Sequence, residues 1–342
     1  MHGDATGATM DADLVLEGGG VKGIALVGAL AVFEERGYRF HRVAGTSAGA
    51  IVGALVAAGI PAHRMHEIVR DIDYRAFRDA RGLSRVGPIG KGLSLLIHRG
   101  IDAGDHLVDW LGSILAEYDV TTFADLHLDD TDGSRPTGED HRLVVMTSDV
   151  SAGELRRLPW DYPRYGLVAD DVEVAAAVRS SMSIPYFYRP IKLRDQEADA
   201  DRWFVDGGML SNFPVGVFDR QDGQPPRWPT FGIKLSGRAD AAIGIRNDVR
   251  GIFSLSAALI RTMIGFYDRI HLGDPAVVAR TVFVDTMQVR TTDFDLDRRT
   301  ADRLFDNGRR AAERFLDGSD DRPAWDFEAY VDRFRRGGEP GP

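Results

Sequence analysis

The chain has 342 residues, 44% hydrophobic and 27% charged, with a net charge of −10. Such a composition suits a globular protein with a large core, and its acidic balance argues against nucleic-acid binding, which needs a positive field to displace phosphate counterions. Cysteine is absent, which excludes disulfides, thiolate metal sites and cysteine nucleophiles.

Residues 1–11 are small, polar and acidic, without the basic and apolar regions of a targeting signal. They read as a disordered lead-in. Leu14-Val15-Leu16 is a short apolar run ending in Glu17 and a glycine cluster, which predicts a buried strand. Leu26, Val27, Leu30 and Phe33 recur at helical spacing up to the stop at Gly37. Arg42-Val43-Ala44 predicts a second strand, and a second helix runs to about Ala58. The uncharged run 43–61 is long enough for a membrane span, but its glycines at 45, 49, 53 and 59 fit a closely packed buried helix better. Strand, helix, strand, helix with short loops indicates an α/β domain with a parallel sheet. Further strands are expected at residues 143–147, 203–205, 230–235 and 281–285, and helices at 172–181, 252–270, 297–316 and 325–335.

Three motifs carry chemistry. The first is Gly18-Gly19-Gly20-Val21-Lys22-Gly23, between strand and helix, where glycines let the backbone present several N–H groups to a bound oxygen. It also satisfies the dinucleotide pattern Gly-x-Gly-x-x-Gly, which expects an acidic residue about twenty positions on. Val43, Ala44 and Gly45 stand there instead. A plain tight turn is the third reading.

The second motif is Gly45-Thr46-Ser47-Ala48-Gly49, a Gly-x-Ser-x-Gly elbow that pushes a serine hydroxyl out at a strand end. With 38 glycines and 15 serines, about 0.2 such matches arise by chance, so its placement matters more than its letters. Ser47 as a helix cap is the alternative. A serine nucleophile needs a base. Among nine histidines only His271 respects the Ser–acid–His order, and the histidines read as surface residues. The third motif is Asp206, closing the apolar run Trp203-Phe204-Val205 before Gly207-Gly208. A carboxylate at the C-terminal edge of a sheet sits where open α/β folds assemble their sites; an Asp-Gly turn accounts for the same residues.

In this order the three motifs, with Asn212-Phe213-Pro214 after the third, resemble the patatin-like phospholipase family. The segments 177–185, 281–285 and 292–294 resemble it too, so the likeness runs from about residue 12 to 316. It implies a three-layer αβα fold with a mostly parallel sheet, in one catalytic domain over 12–336 with a tail at 337–342. Residues 71–137 match nothing in the family and read as an insertion or cap.

The resemblance further implies a lipid acyl hydrolase with a Ser47–Asp206 dyad and no histidine. Ser47 would attack the ester carbonyl while Asp206 relays its proton. The loop Gly18, Gly19, Gly20, Val21 and Gly23 would form the oxyanion hole through the N–H groups of Gly19, Gly20 and Val21, joined by Ala48. Neither metal nor cofactor is required. Lys22 is offered as a head-group contact or a brace for the oxyanion, and also as a solvated helix-start residue. The expected partner is membrane or micellar lipid, in the cytoplasm or at the inner membrane face. Residues 74–101 hold six basic side chains against Asp79 alone, with Leu93, Leu95, Leu96 and Ile97 among them. That suits transient docking on anionic lipid, or a surface loop paired with carboxylates elsewhere. The apolar run 252–270 could line an acyl groove or be core. A nucleotide-binding oxidoreductase and a non-catalytic scaffold of the same fold are the other function classes.

Overall fold

The computed structural model describes residues 9–70, 104–128, 136, 138–185, 188–235, 258, 262, 273–287, 289–291, 293, 295–320 and 322–336. The first apolar run is the buried end of β1 (Met10–Leu16), which therefore starts two residues inside the expected lead-in. Then follow β2 (Tyr38–Thr46), β3 (Leu143–Asp149), β4 (Glu154–Leu158), β5 (Ile191–Asp195), β6 (Ala200–Asp206), β7 (Thr230–Lys234) and β8 (Thr281–Phe283). They form one sheet in the order β5-β6-β3-β2-β1-β7-β8, with β4 also paired to β3. The five strands β3, β2, β1, β7 and β8 are parallel neighbours. The parallel core rests on side chains buried on both faces, as near-continuous apolar strands require.

Leu14, Leu16, Val43, Val145 and Ile233 share one face, and Val15, Ala44, Val144 and Met146 the other. The first face carries α1 (Ile24–Glu35), α2 (Ala48–Ala57) and α3 (Ala62–Arg70), with α4 (Asp105–Ala116) and α5 (Val174–Ser181) in the same core. Ten of the twelve residues of α1 are buried, because the helix at Arg298–Asp317 covers its outer side. The opposite face is closed by Trp160, Phe213, Val215, Phe218 and Val277 of α6 (Pro275–Ala279). In α7 (Arg298–Asp317) Ala301, Leu304, Gly308, Ala311, Ala312 and Phe315 form one buried stripe at helical spacing. Asp297 caps it by accepting from Thr300 N–H at 2.7 Å. The last helix is α8 (Phe327–Phe334).

Sequence reasoning missed α3, α4, α6, β4 and β5. The hairpin β5–β6 alters the topology: β6 runs antiparallel to β3, with Asp206 opposite Thr147. The expected helix at 252–270 lies outside the described residues except at Ala258 and Thr262, and the basic stretch 74–101 lies wholly outside them. The uncharged run 43–61 divides into the end of β2, a turn and α2. No helix among the described residues is long and apolar enough to cross a membrane.

Candidate active site

Ser47 is the single residue between β2 and α2, at φ 54° and ψ −123°. A side chain at positive φ is strained, and such strain collects at functional turns. The turn is tight enough to need both flanking glycines. A Cβ on Gly45 would stand 2.6 Å from Ala50 N, and one on Gly49 would stand 2.7 Å from Glu17 O. Ser47 is 3% exposed and lies at the start of α2, whose dipole favours negative charge there. Its side chain caps nothing, so the helix-cap reading fails.

Asp206 reaches this point by an unexpected route. A parallel strand would have carried it out over the sheet edge with the others. Instead β6 descends antiparallel from beyond that edge and ends level with Ser47, one strand away across β3. Its carboxyl is 7% exposed and accepts from Gly208 N–H at 2.7 Å. Burial pushes the Asp206 pKa up to about 6, against the opposing pull of the Gly208 N–H and the Ser47 hydroxyl. Gly208 thus serves as the acid loop's donor, while Gly207 packs on Met146 and Thr46.

The end of α5 braces both residues, which sequence reasoning did not foresee. Ser181 Oγ accepts from Ser47 N–H at 2.8 Å, and Ser183 O accepts from Asp206 N–H at 3.0 Å. Met182 Sδ lies 3.4 Å from Ser47 Oγ. Buried Arg179 holds this turn by donating to Ser183 Oγ at 2.6 Å and to Arg189 O at 3.0 Å. The helix itself was expected at 172–181 and the resemblance picked out 177–185, but neither assigned this segment contacts with Ser47 or Asp206.

The glycine loop follows β1 on the other side of Ser47. Gly20 adopts φ 54° against Thr291. Gly18 N–H donates to Asn212 O, Lys22 N–H to Gly19 O and Val21 N–H to Thr291 O, each at 3.2 Å. Val21 therefore spends its amide on Thr291, in a distant segment packed against the loop, a correction to its expected place among the oxyanion donors. The amides of Gly19, Gly20 and Ala48 have no hydrogen-bond partner among the described residues. Gly23 packs on Ala48 Cβ at 3.4 Å from where its own would stand. Lys22 turns its Nζ to Leu235 O at 3.3 Å, which ties the loop to the end of β7 rather than presenting a solvated charge.

Beneath the loop lies a buried ion pair that sequence reasoning also missed. Glu17 and Lys234 are 3% and 1% exposed and in direct contact. Glu17 also accepts from Leu235 N–H, and Asn212 Nδ2 donates to it at 3.3 Å and to Gly18 O at 3.1 Å. No described histidine is a hydrogen-bond partner of Ser47 or Asp206; His271 lies outside the described residues. A cavity of about 330 Å³ lies at the opposite edge of the sheet. Of its arginines, Arg42, Arg157 and Arg220 pair with Asp13, Glu139 and Asp222, and Arg227 lies over the Trp228 ring.

Comparison with known proteins gives the family and the fold. A family model described as patatin-like phospholipase matches residues 14–219, which hold all three motifs. The uncharacterised protein YqhO of Bacillus subtilis is 36% identical over 304 residues, covering 89% of this chain and 97% of its own length. An uncharacterised NTE family protein of Mycobacterium tuberculosis, Rv2565, is 27% identical over 60% of this chain, which spans only 27% of that longer protein. Among solved structures, VipD from Legionella pneumophila shares the fold at a TM-score of 0.50 and 17% identity, over 90% of this chain and 67% of VipD. The chain belongs to the patatin-like phospholipase family, and its general class is that of a lipid hydrolase.

Proposed function

We propose that this protein hydrolyses carboxylic esters of phospholipids or acylglycerols through Ser47 and Asp206. One observation carries the reading: a buried carboxylate of raised pKa interacts with a serine held at positive φ in the turn that leads into α2. Ser47 Oγ bonds to the ester carbonyl carbon as Asp206 takes the hydroxyl proton. The carbon–oxygen bond to the alcohol then breaks, and Asp206 returns the proton to that leaving oxygen. Water attacks the acyl-enzyme in the same way, releasing the fatty acid and restoring Ser47. The amides of Gly19, Gly20 and Ala48 are the donors for the oxyanion, each worth about 3 kcal/mol if aligned. A pKa of about 6 leaves Asp206 mostly ionised at pH 7 yet basic enough to accept a proton.

The nucleotide reading loses its support at the end of β2. The position that would hold a ribose hydroxyl leads straight into the elbow, with Gly45 and Thr46 in place of an acid. We assign contact with the lipid surface to the basic stretch 74–101, from its sequence alone. Neutralising its arginines is expected to weaken liposome binding while sparing a soluble ester.

The central test is hydrolysis of short- and medium-chain p-nitrophenyl esters, then phospholipid vesicles, by wild type, Ser47→Ala and Asp206→Asn. Loss in both variants, with native circular dichroism, is expected. Activity retained in Ser47→Ala would remove the proposal, and a wild type silent on every ester would favour the scaffold reading.

A further inference from the structure

A second cluster of chemistry-bearing side chains lies at the other edge of the sheet, ahead of β3. There the chain pairs back on itself: Leu128 N–H donates to Asp140 O at 2.6 Å and Arg142 N–H to Leu126 O at 2.7 Å. This pairing sets His127 opposite His141, with ring centroids 5.4 Å apart. Asp140 stands between them, and Asp170 approaches from the short turn Ala169–Asp171. His141 is 3% exposed and not the surface residue its sequence suggested.

The hydrogen bonds of His141 define what it can do. Its Nε2 lies 2.8 Å from Asp170 Oδ1. An ionised carboxylate only accepts, so Nε2 carries the proton and donates. That leaves Nδ1 as a lone pair in the neutral ring. Among the described residues Nδ1 is buried without a hydrogen-bond partner, and the polar atom it meets is Asp140 Oδ1 at 3.3 Å. Two acceptors face each other there, which is unfavourable unless a cation joins them. On the far side of the same carboxylate, His127 Nε2 lies 3.6 Å from Asp140 Oδ2.

We propose that His127, Asp140 and His141 bind one divalent transition-metal ion of the zinc class, with Asp170 orienting His141 from behind. One ligand atom from each of the three residues lies within 4.8 Å of the others. Tetrahedral ligands about 2.1 Å from a common zinc stand about 3.4 Å apart; His141 Nδ1 lies 3.3 Å from Asp140 Oδ1 and His127 Nε2 3.6 Å from Asp140 Oδ2, so the carboxylate sits between the two rings at near-ligand spacing, one oxygen towards each. Two imidazoles and a carboxylate suit zinc, whereas magnesium and calcium prefer all-oxygen shells. The carboxylate behind His141 is the outer partner that metal-binding histidines usually have, and it selects the tautomer that leaves Nδ1 for the metal. His127 and Asp140 are 45% and 33% exposed, giving the ion a route in and a place for water as fourth ligand.

The role of this site is to staple, not to catalyse. It joins both ends of the connection between Leu128 and Asp140 to the turn at Asp170, in a chain without cysteine. It precedes β3, at the edge of the sheet away from Ser47, so esters do not meet it.

The test uses the full chain, stripped with EDTA and titrated with zinc chloride by calorimetry, with magnesium chloride as control. One zinc per chain and no magnesium binding are expected. His127→Ala, an exposed change whose folding circular dichroism verifies, should weaken zinc binding at least 100-fold. Asp170→Asn keeps an oxygen acceptor and should weaken it about 10-fold. Zinc should also raise the melting temperature of the wild type and leave that of His127→Ala unmoved. Zinc binding no tighter in wild type than in His127→Ala overturns the proposal, as does no binding at all, which would leave a proton as the cation between His141 and Asp140.

Discussion

Asp206→Asn should stabilise the protein while abolishing its activity. In the folded chain the Asp206 pKa rises from an ordinary 3.8 to about 6, first because burial disfavours the charged form. Between those two values the folded protein holds a proton that the unfolded chain has lost. Stability therefore falls as pH rises through this window, and the whole cost is present at pH 7. At about 1.4 kcal/mol for each tenfold change in proton affinity, the rise corresponds to about 3 kcal/mol. The group is 7% exposed, so solvent screening does not much reduce this figure. Asparagine removes the buried charge and keeps an oxygen that can accept from Gly208 N–H, now 2.7 Å away. Urea unfolding followed by tryptophan fluorescence should show the variant about 3 kcal/mol more stable at pH 7. The difference should shrink steadily as pH falls and nearly vanish by about pH 4. A variant less stable than wild type at pH 7, or a difference independent of pH, would refute the reasoning.

Other expectations follow from the same geometry. The pH profile of kcat/KM for a soluble ester should be flat above about pH 6 and fall about tenfold per pH unit below it, as Asp206 is protonated; a profile breaking near 8 would point to a different base. Ser47→Gly should lose activity yet gain about 1–2 kcal/mol in chemical denaturation, by relieving the positive-φ strain. Gly49→Ala places a Cβ 2.7 Å from Glu17 O and should lower the melting temperature sharply; an unchanged melting curve would contradict the close approach of α2 to β1. Glu17→Gln strands buried Lys234 and should cost about 3–5 kcal/mol, with most of the loss restored by adding Lys234→Met.

The sequence by itself determined the local turns and their order. Positive-φ and close-approach positions leave a glycine signature, so the elbow around Ser47 and the loop at 18–23 were legible without coordinates. The apolar runs of β1, β2, β3 and β7 were equally legible, because strands buried on both faces have few polar residues. The charged strands β4 and β5 were not. In β4 Arg156 is buried with Tyr165 accepting from it at 2.6 Å and with Glu154 and Asp149 as ion-pair partners, and no local pattern announces such a set.

Tertiary structure alone decided which way β6 runs, and so how Asp206 meets Ser47. It decided that Val21 loses its amide to Thr291, that Glu17 and Lys234 lie buried under the glycine loop, and that the end of α5 holds both site residues. It also brought His127, Asp140, His141 and Asp170 together. The physical reason is common to all of these. Periodicity and turn chemistry act over a few residues, whereas the partner of a buried polar group is chosen by strand pairing between segments far apart in the chain.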